Sequence, residues 1–164
     1  MVRIVEQPAP AAPASPPRIS LWGAVPCASV GLFALSLALP ALGEVGLGVP
    51  DDRGYLILAT GWAGILFGQF GWFANGFWVA GLIYLSLRRW KAAAIAAALA
   101  VLVAADTFML YRTGFPSDSG NSHAAAILAG FYVWWASMWV LAAGAILLWR
   151  RHRAADGGEG IPSS

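Results

Sequence analysis

Charged residues are scarce in this sequence. They make up 11% of its 164 residues, with ten Lys and Arg against eight Asp and Glu, whereas a soluble domain carries roughly 25%. Four apolar stretches, 21–43, 55–87, 92–111 and 124–149, together contain a single charged side chain, Asp106. A soluble protein of this size cannot bury four such stretches, because most of its surface must meet water. The sequence therefore predicts an all-α integral membrane protein, a bundle of four transmembrane helices.

Cysteine is almost absent, which excludes another class of membrane protein. The single cysteine, Cys27, allows neither an intramolecular disulfide nor a CxxC pair, so a dithiol oxidoreductase is excluded. A lone cysteine in an apolar helix is typically a small buried residue, and we expect this of Cys27.

Catalytic and metal-binding patterns are also missing. His123 and His152 stand 29 positions apart, or ~44 Å along a helix, so they cannot ligate one haem within a chain. Neither has a neighbour at metal-ligand spacing, and the acidic pair Asp51-Asp52 lacks the ligand series of a calcium loop. No nucleotide-binding glycine motif is present. We therefore expect no catalytic residue, no metal and no cofactor, and no nucleic-acid partner, because topology accounts for the basic residues.

The two ends of the chain differ from its centre. Residues 1–20 hold five of the ten prolines and predict a disordered, cytoplasmic tail, with a proline-rich ligand around Pro13–Pro16 as the alternative. Residues 151–164 predict a basic and then glycine-rich flexible tail, which leaves 21–150 as the transmembrane domain. Residues 21–43 could instead be a cleaved signal peptide, but their length favours a retained span.

The distribution of Lys and Arg predicts the orientation. With four spans, two basic residues fall on one side, Arg53 and Arg112, and eight on the other: Arg3, Arg18, Arg88, Arg89, Lys91, Arg150, Arg151 and Arg153. Because cytoplasmic loops carry the excess of Lys and Arg, we expect both termini in the cytoplasm. Aromatic residues fit this orientation, with Trp22, Trp90 and Trp149 at the cytoplasmic ends and Tyr55 and Tyr111 at the outer ends.

The second stretch is too long for one simple span. As a helix, its 33 residues would extend ~50 Å, against ~30 Å of hydrocarbon. Either the helix is strongly tilted, or 55–75 lies shallow or re-enters and 73–89 alone crosses. Gly71, Asn75 and Gly76 mark the place where a bend is easiest.

Small residues recur at helical spacing in three of the stretches. Such residues let transmembrane helices approach closely, so we predict helix-packing stripes. The first combines Gly61, Gly64, Gly68, Gly71 and Asn75, the second Ala93, Ala97, Ala100 and Ala104, and the third Gly130, Ser137 and Gly144. We expect the first two to face each other as an antiparallel hairpin through the turn at Arg88–Lys91. A groove for a lipid tail or a partner helix is the alternative for the glycine stripe.

Tryptophans near the middle of the last stretch are too deep for an interfacial belt. Trp134, Trp135 and Trp139 would fill gaps opposite the small residues, each indole N–H finding a hydrogen-bond partner. The alternative is an aromatic-lined pocket for a lipid, quinone or pigment.

Asp106 is the candidate functional residue, because an ionisable group inside a span is functional by default. It lies near the outer end of the third stretch. One interpretation is a structural ion pair with Arg112, Arg53 or His123, and the other is a proton or cation site.

Three short segments resemble a family of small four-span bacterial inner-membrane proteins. They are Pro26-Cys27, Trp72-Phe73-Ala74-Asn75, and the Phe131–Ser137 segment FYVWWAS. Two positions depart from the family pattern, since Gly76 stands where the family has proline and Asp106 where it is apolar. The resemblance implies architecture and location in the inner membrane, but no activity.

The function predicted from these features is a structural or accessory subunit of a larger membrane complex, in contact with other membrane subunits or with further copies of itself. Small-residue stripes, deep tryptophans and missing catalytic residues favour it. The alternative is a small transporter or channel subunit with Asp106 on its path.

Overall fold

The computed structural model describes residues 21–44, 52–113 and 125–157, and it is mostly helical. The helices are α1 (Leu21–Ala38), α2 (Gly54–Thr60), α3 (Ala74–Ser86), α4 (Trp90–Ala104), α5 (Leu110–Thr113) and α6 (Ala129–Gly157). Three 3₁₀ segments lie between them, at Gly61–Phe67, Gly71–Phe73 and Ala105–Met109. Three short strands complete the fold: β1 (Pro40–Glu44), β2 (Asp52–Arg53) and β3 (Ala125–Ile127). The predicted proline-rich tail, the glycine-rich end from residue 158 and His123 lie outside the described residues.

Within the described residues, three helices are long and apolar enough to cross a membrane. They are Leu21–Ala38, Trp90–Met109, in which α4 continues into a 3₁₀ segment, and Ala129–Ala154. These correspond to the first, third and fourth predicted spans. Both the all-α class and the membrane character expected from the composition are therefore supported.

The second predicted span is not one continuous helix. Its chain runs through α2, two 3₁₀ segments and then α3, whose 13 residues extend only ~20 Å. Gly68 causes one break: it has a left-handed φ of 74°, and its N–H bonds to the Ile65 carbonyl at 3.1 Å. Of the two alternatives expected for this stretch, the strongly tilted helix over 55–87 is therefore wrong, and the structure has an interrupted stretch whose longest regular helix is its inner part, α3.

A small antiparallel sheet replaces the predicted ends of the first and last spans. Leu39 precedes a proline, which disfavours helical backbone, and α1 ends at Ala38 instead of 43. The chain continues as β1, which lies between β2 and β3 with Leu42 opposite Ile127. The last helix accordingly begins at Ala129 rather than 124 and extends to Gly157, through part of the tail predicted to be flexible.

The core lies where α3, α4 and α6 meet. Its centre is built from alanines with Trp78, Leu85, Met138 and Leu141, all buried. A Cβ at Gly81 of α3 would lie 3.6 Å from the Ala97 Cβ of α4, so these two helices approach closely. An antiparallel α3–α4 hairpin through Arg88–Lys91 is present as expected, but its close contact is made by Gly81, which is not part of the predicted glycine stripe.

The two ends of the bundle have different chemistry. Trp22 contacts Arg88 at 5.6 Å and Trp149 contacts Arg153 at 4.7 Å, each measured from the guanidinium carbon to the ring centroid. The rings of Trp90 and His152 lie 6.5 Å apart. Hence the three belt tryptophans share one end, which we call the basic end. The strands, Tyr55 and Arg112 belong to the opposite, sheet end.

Candidate functional site: a cavity at the sheet end

A cavity of about 350 Å³ lies at the sheet end. Its walls come from the end of α1, the irregular segment 54–75 and the first turns of α6. Aromatic and aliphatic side chains form most of its surface, among them Phe33, Ile57, Trp72, Phe131 and Trp134. Among the described residues, only one charged side chain lines it, that of Asp52, which is exposed.

A series of hydrogen bonds supports one wall of the cavity. The indole N–H of Trp134 donates to the Asn75 Oδ1 at 2.9 Å, and the Asn75 side-chain amide donates to the Trp72 carbonyl at 2.9 Å. The Trp72 indole N–H in turn donates to the Leu58 carbonyl at 2.9 Å. The series connects α6, α3 and α2, and it holds the interrupted segment against the bundle.

Asp106 lies in the 3₁₀ segment that follows α4 and is half-buried. Its Oδ2 accepts the backbone N–H of Phe70 at 2.6 Å. Among the described residues its partner is thus this amide rather than Arg53 or Arg112, and the next residue, Thr107, lines the cavity in its place. The visible role of Asp106 is to anchor the loop between the first two 3₁₀ segments.

The expected glycine stripe does not form, because residues 61–73 are not α-helical. A Cβ at Gly61 would lie 2.7 Å from the Trp72 ring, and one at Gly64 would lie 3.4 Å from Gln69. Gly71 faces Thr107, whereas the Cβ position of Gly68 has no atom within 4 Å. These glycines pack within the irregular segment or against the end of α4, and do not form one surface for a neighbouring helix.

The other two stripes do lie at helix contacts. Ala93, Ala97, Ala100 and Ala104 are completely buried in the core with α3 and α6. A Cβ at Gly130 would lie 2.8 Å from the Leu39 and Pro40 carbonyl oxygens, and Gly144 packs against Val25. Ser137 is buried between them. The stripe on α6 therefore receives α1.

The sequence interpretation missed a buried hydrogen-bond network at the centre of the bundle. The Trp78 indole N–H donates to the Ser29 Oγ at 2.9 Å, and the Ser29 hydroxyl donates to the Ser137 carbonyl at 2.7 Å. The rings of Phe33 and Trp78 stack beside it at 4.3 Å. A serine in a long apolar stretch was the signal that could have identified it, since hydroxyls there bond across helices.

Two of the three deep tryptophans behave as expected. The indole N–H of Trp134 is bound by Asn75, and that of Trp135 donates to the Val101 carbonyl at 3.3 Å. This confirms the hydrogen-bonded partners predicted for Trp134 and Trp135. Trp139 is 51% exposed and stacks edge-on against Trp135, so it lies on the outer surface of α6.

One strip of the outward surface of α1 consists of small side chains, and the exposed Val30 and Leu35 lie beside it. Gly23, Cys27, Gly31, Ala34 and Ala38 follow at spacings of four, four, three and four, which places them on one side of a helix. Cys27, Gly31, Ala34 and Ala38 are exposed, and the Cβ positions of both glycines have no atom within 4 Å. The expectation that Cys27 is buried is wrong. We call this surface the α1 face.

The described residues hold no group of three or more His, Cys, Asp or Glu side chains that could bind a metal ion. No family model, curated protein or solved structure matches the chain.

Proposed function

We propose that the protein is a structural or accessory subunit of a larger complex in the bacterial inner membrane. The observation that carries the proposal is the α1 face. In the most apolar 18-residue window of each long helix, 17% is buried within the chain for α1, against 39% for each of the other two. Transmembrane helices associate through small residues that let backbones approach, and the α1 face offers a row of them to a partner helix.

The proposed topology has four crossings and both termini in the cytoplasm. Segment 71–86, a 3₁₀ turn followed by α3, would extend about 25 Å and supply the fourth crossing, while 54–67 lies shallow at the outer surface. The described basic residues favour this orientation, since two lie at the sheet end and six at the basic end: Arg88, Arg89, Lys91, Arg150, Arg151 and Arg153. A C-terminal reporter that is active only in the periplasm should accordingly remain inactive.

The transporter alternative has less support. It requires Asp106 to face a path, but the Asp106 carboxylate accepts the Phe70 N–H and Thr107 faces the cavity. We therefore prefer the accessory-subunit proposal.

The single cysteine provides a direct test, because Cys27 lies in the α1 face and is exposed. A benzophenone maleimide attached to Cys27 in native membranes should, on illumination, crosslink the protein to a different polypeptide. Gly31→Leu should abolish this product, since the larger side chain separates the helices without clashing inside the chain.

Gly76→Leu is the matched control, because its Cβ position is also open but lies on α3. It should leave the crosslink intact, and Cys27→Ser should remove it. A product containing only a second copy of this chain would replace the accessory role with a homo-oligomer. A protein that yields no product and sediments as a monomer from mild detergent would contradict the proposal.

A further inference from the structure

The cavity at the sheet end has the dimensions and lining of a ligand site. Its volume of about 350 Å³ falls within the ~300–1,000 Å³ typical of small-molecule pockets. The site is separate from the α1 face, which points away from the bundle, so a ligand in the cavity does not depend on the proposed association with a partner.

Most polar groups in the cavity wall are already engaged within the chain. The indole N–H groups of Trp72 and Trp134 and the Asn75 side chain bond to one another or to backbone. The Thr60 hydroxyl donates to the Leu56 carbonyl of its own helix at 2.8 Å. These groups shape the wall and give a ligand little to bind.

Two lining side chains differ. Within the described part of the chain, neither the Gln69 amide nor the Thr107 hydroxyl has a hydrogen-bond partner, and neither is shut off in a fully buried, unsatisfied position. Gln69 follows the left-handed Gly68, and the Asp106–Phe70 hydrogen bond fixes the loop on its other side. Both side chains can therefore donate to and accept from a molecule inside the cavity.

The charge of the lining restricts the chemistry of that molecule. No Lys, Arg or His is among the described lining residues, and an anion such as a phosphate or carboxylate would lose its hydration without a counter-charge. The Asp52 carboxylate is exposed, where water and salt weaken its attraction for a cation. A neutral polar group needs no charged partner in the cavity wall, neither a cation nor an anion.

From these observations we infer that the cavity binds an uncharged amphiphile. Its apolar body lies against Phe33, Phe131 and Trp134, and a carbonyl or hydroxyl group bonds to Gln69 and Thr107. The chemistry fits either a neutral membrane lipid or a lipid-soluble carbonyl compound such as a quinone.

The test uses the full chain in phosphatidylcholine nanodiscs, with thermal unfolding followed as a probe is titrated. A ligand that binds the folded state raises the Tm. The uncharged probes are monodecanoylglycerol and decylubiquinone, and the charged ones with the same chain length are decyl phosphate and decyltrimethylammonium. At least one uncharged probe should raise the Tm, and neither charged probe should match it. The uncharged probe that binds more tightly shows whether the cavity prefers a neutral membrane lipid or a carbonyl compound such as a quinone.

Variants of the two unpaired groups make the test specific. Thr107→Val and Gln69→Leu should each raise the apparent Kd of the preferred uncharged probe about fivefold, as expected for one neutral hydrogen bond. Thr60→Val is the matched control and should change it less than twofold, because that hydroxyl is already bonded within its helix. Gly64→Leu, which adds a side chain to the lining, should abolish binding.

Three results would overturn the inference. In the first, charged and uncharged probes raise the Tm equally. In the second, Thr107→Val and Gln69→Leu bind as the unmodified chain does, which remains informative even if Gly64→Leu fails to fold. In the third, decyltrimethylammonium binds most tightly and Asp52→Asn removes its binding, which would identify a cation site.

Discussion

In the core of the bundle, α3 and α4 pack with their backbones close together, whereas at the sheet end an irregular segment rich in glycine and apolar residues encloses a cavity. The close contact involves Gly81 and Ala97, which stand on two regular helices. In the segment that forms one wall of the cavity, glycines alternate with Phe67 and Trp72, and Gly68 breaks the helix. Both regions have the apolar composition of a membrane protein. The size of neighbouring side chains and one left-handed residue decide which region is tightly packed and which contains a cavity.

The largest effect on the free energy of unfolding is expected at the tightly packed contact between α3 and α4. Ala97→Leu adds three carbons at a position with no exposed surface and should lower the free energy of unfolding by about 3 kcal/mol, because overpacking forces helices apart. Titration with SDS from mild micelles measures it. Ala98→Leu, at a half-buried position on the same helix, should cost far less; equal losses would show that the packed contact is not there.

The second prediction tests the helix break at Gly68, which shapes the segment around the cavity. Gly68→Ala should destabilise the protein by about 1 kcal/mol, because a Cβ is disfavoured at its φ of 74°. Gly76→Ala should have the opposite sign, since an exposed glycine within a helix is less stable than alanine. The same titration applies. If Gly68→Ala also stabilises the protein, a continuous helix through this position becomes the better description.

The smallest effect is expected at Asp106. Asp106→Ala removes the acceptor of the Phe70 N–H and should accelerate hydrogen exchange at Phe70 about fivefold, as expected for one net hydrogen bond. Asp106→Asn keeps an acceptor oxygen, so the Phe70 N–H should exchange at a rate closer to that in the unmodified chain. Unchanged exchange in Asp106→Ala would mean that this carboxylate does not anchor the loop.

Sequence alone predicted the long apolar helices but not the rotation of α1. Charge-free stretches locate α1, α4 and α6 because burying charge in lipid is costly. The orientation of Cys27 could not be read in the same way, since lipid-facing and core-facing residues are equally apolar and no amphipathic pattern distinguishes them. The α1 face therefore emerged only from the structure.

The candidate site was only partly predictable for a related reason. Asp106, Trp134 and Asn75 stand out in the sequence because polar and bulky groups are unusual within spans. The roles of Gln69 and Thr107 depend on the path of the broken second stretch, whose glycine spacing predicted a regular helix. The sheet was not predicted either, since Ala125–Ile127 continues an apolar run and lacks the alternation of a strand.

The Trp78–Ser29–Ser137 network fixes the rotation of α1 about its own axis. Turning α1 by one residue would rotate it by about 100° and carry the Ser29 hydroxyl away from both the Trp78 indole and the Ser137 carbonyl. Because Ser29 and the α1 face lie on opposite sides of the same helix, the interior bonds also set the direction in which that face points. If a neighbouring subunit docks on the α1 face as proposed, buried residues that it does not contact would set the angle at which it docks.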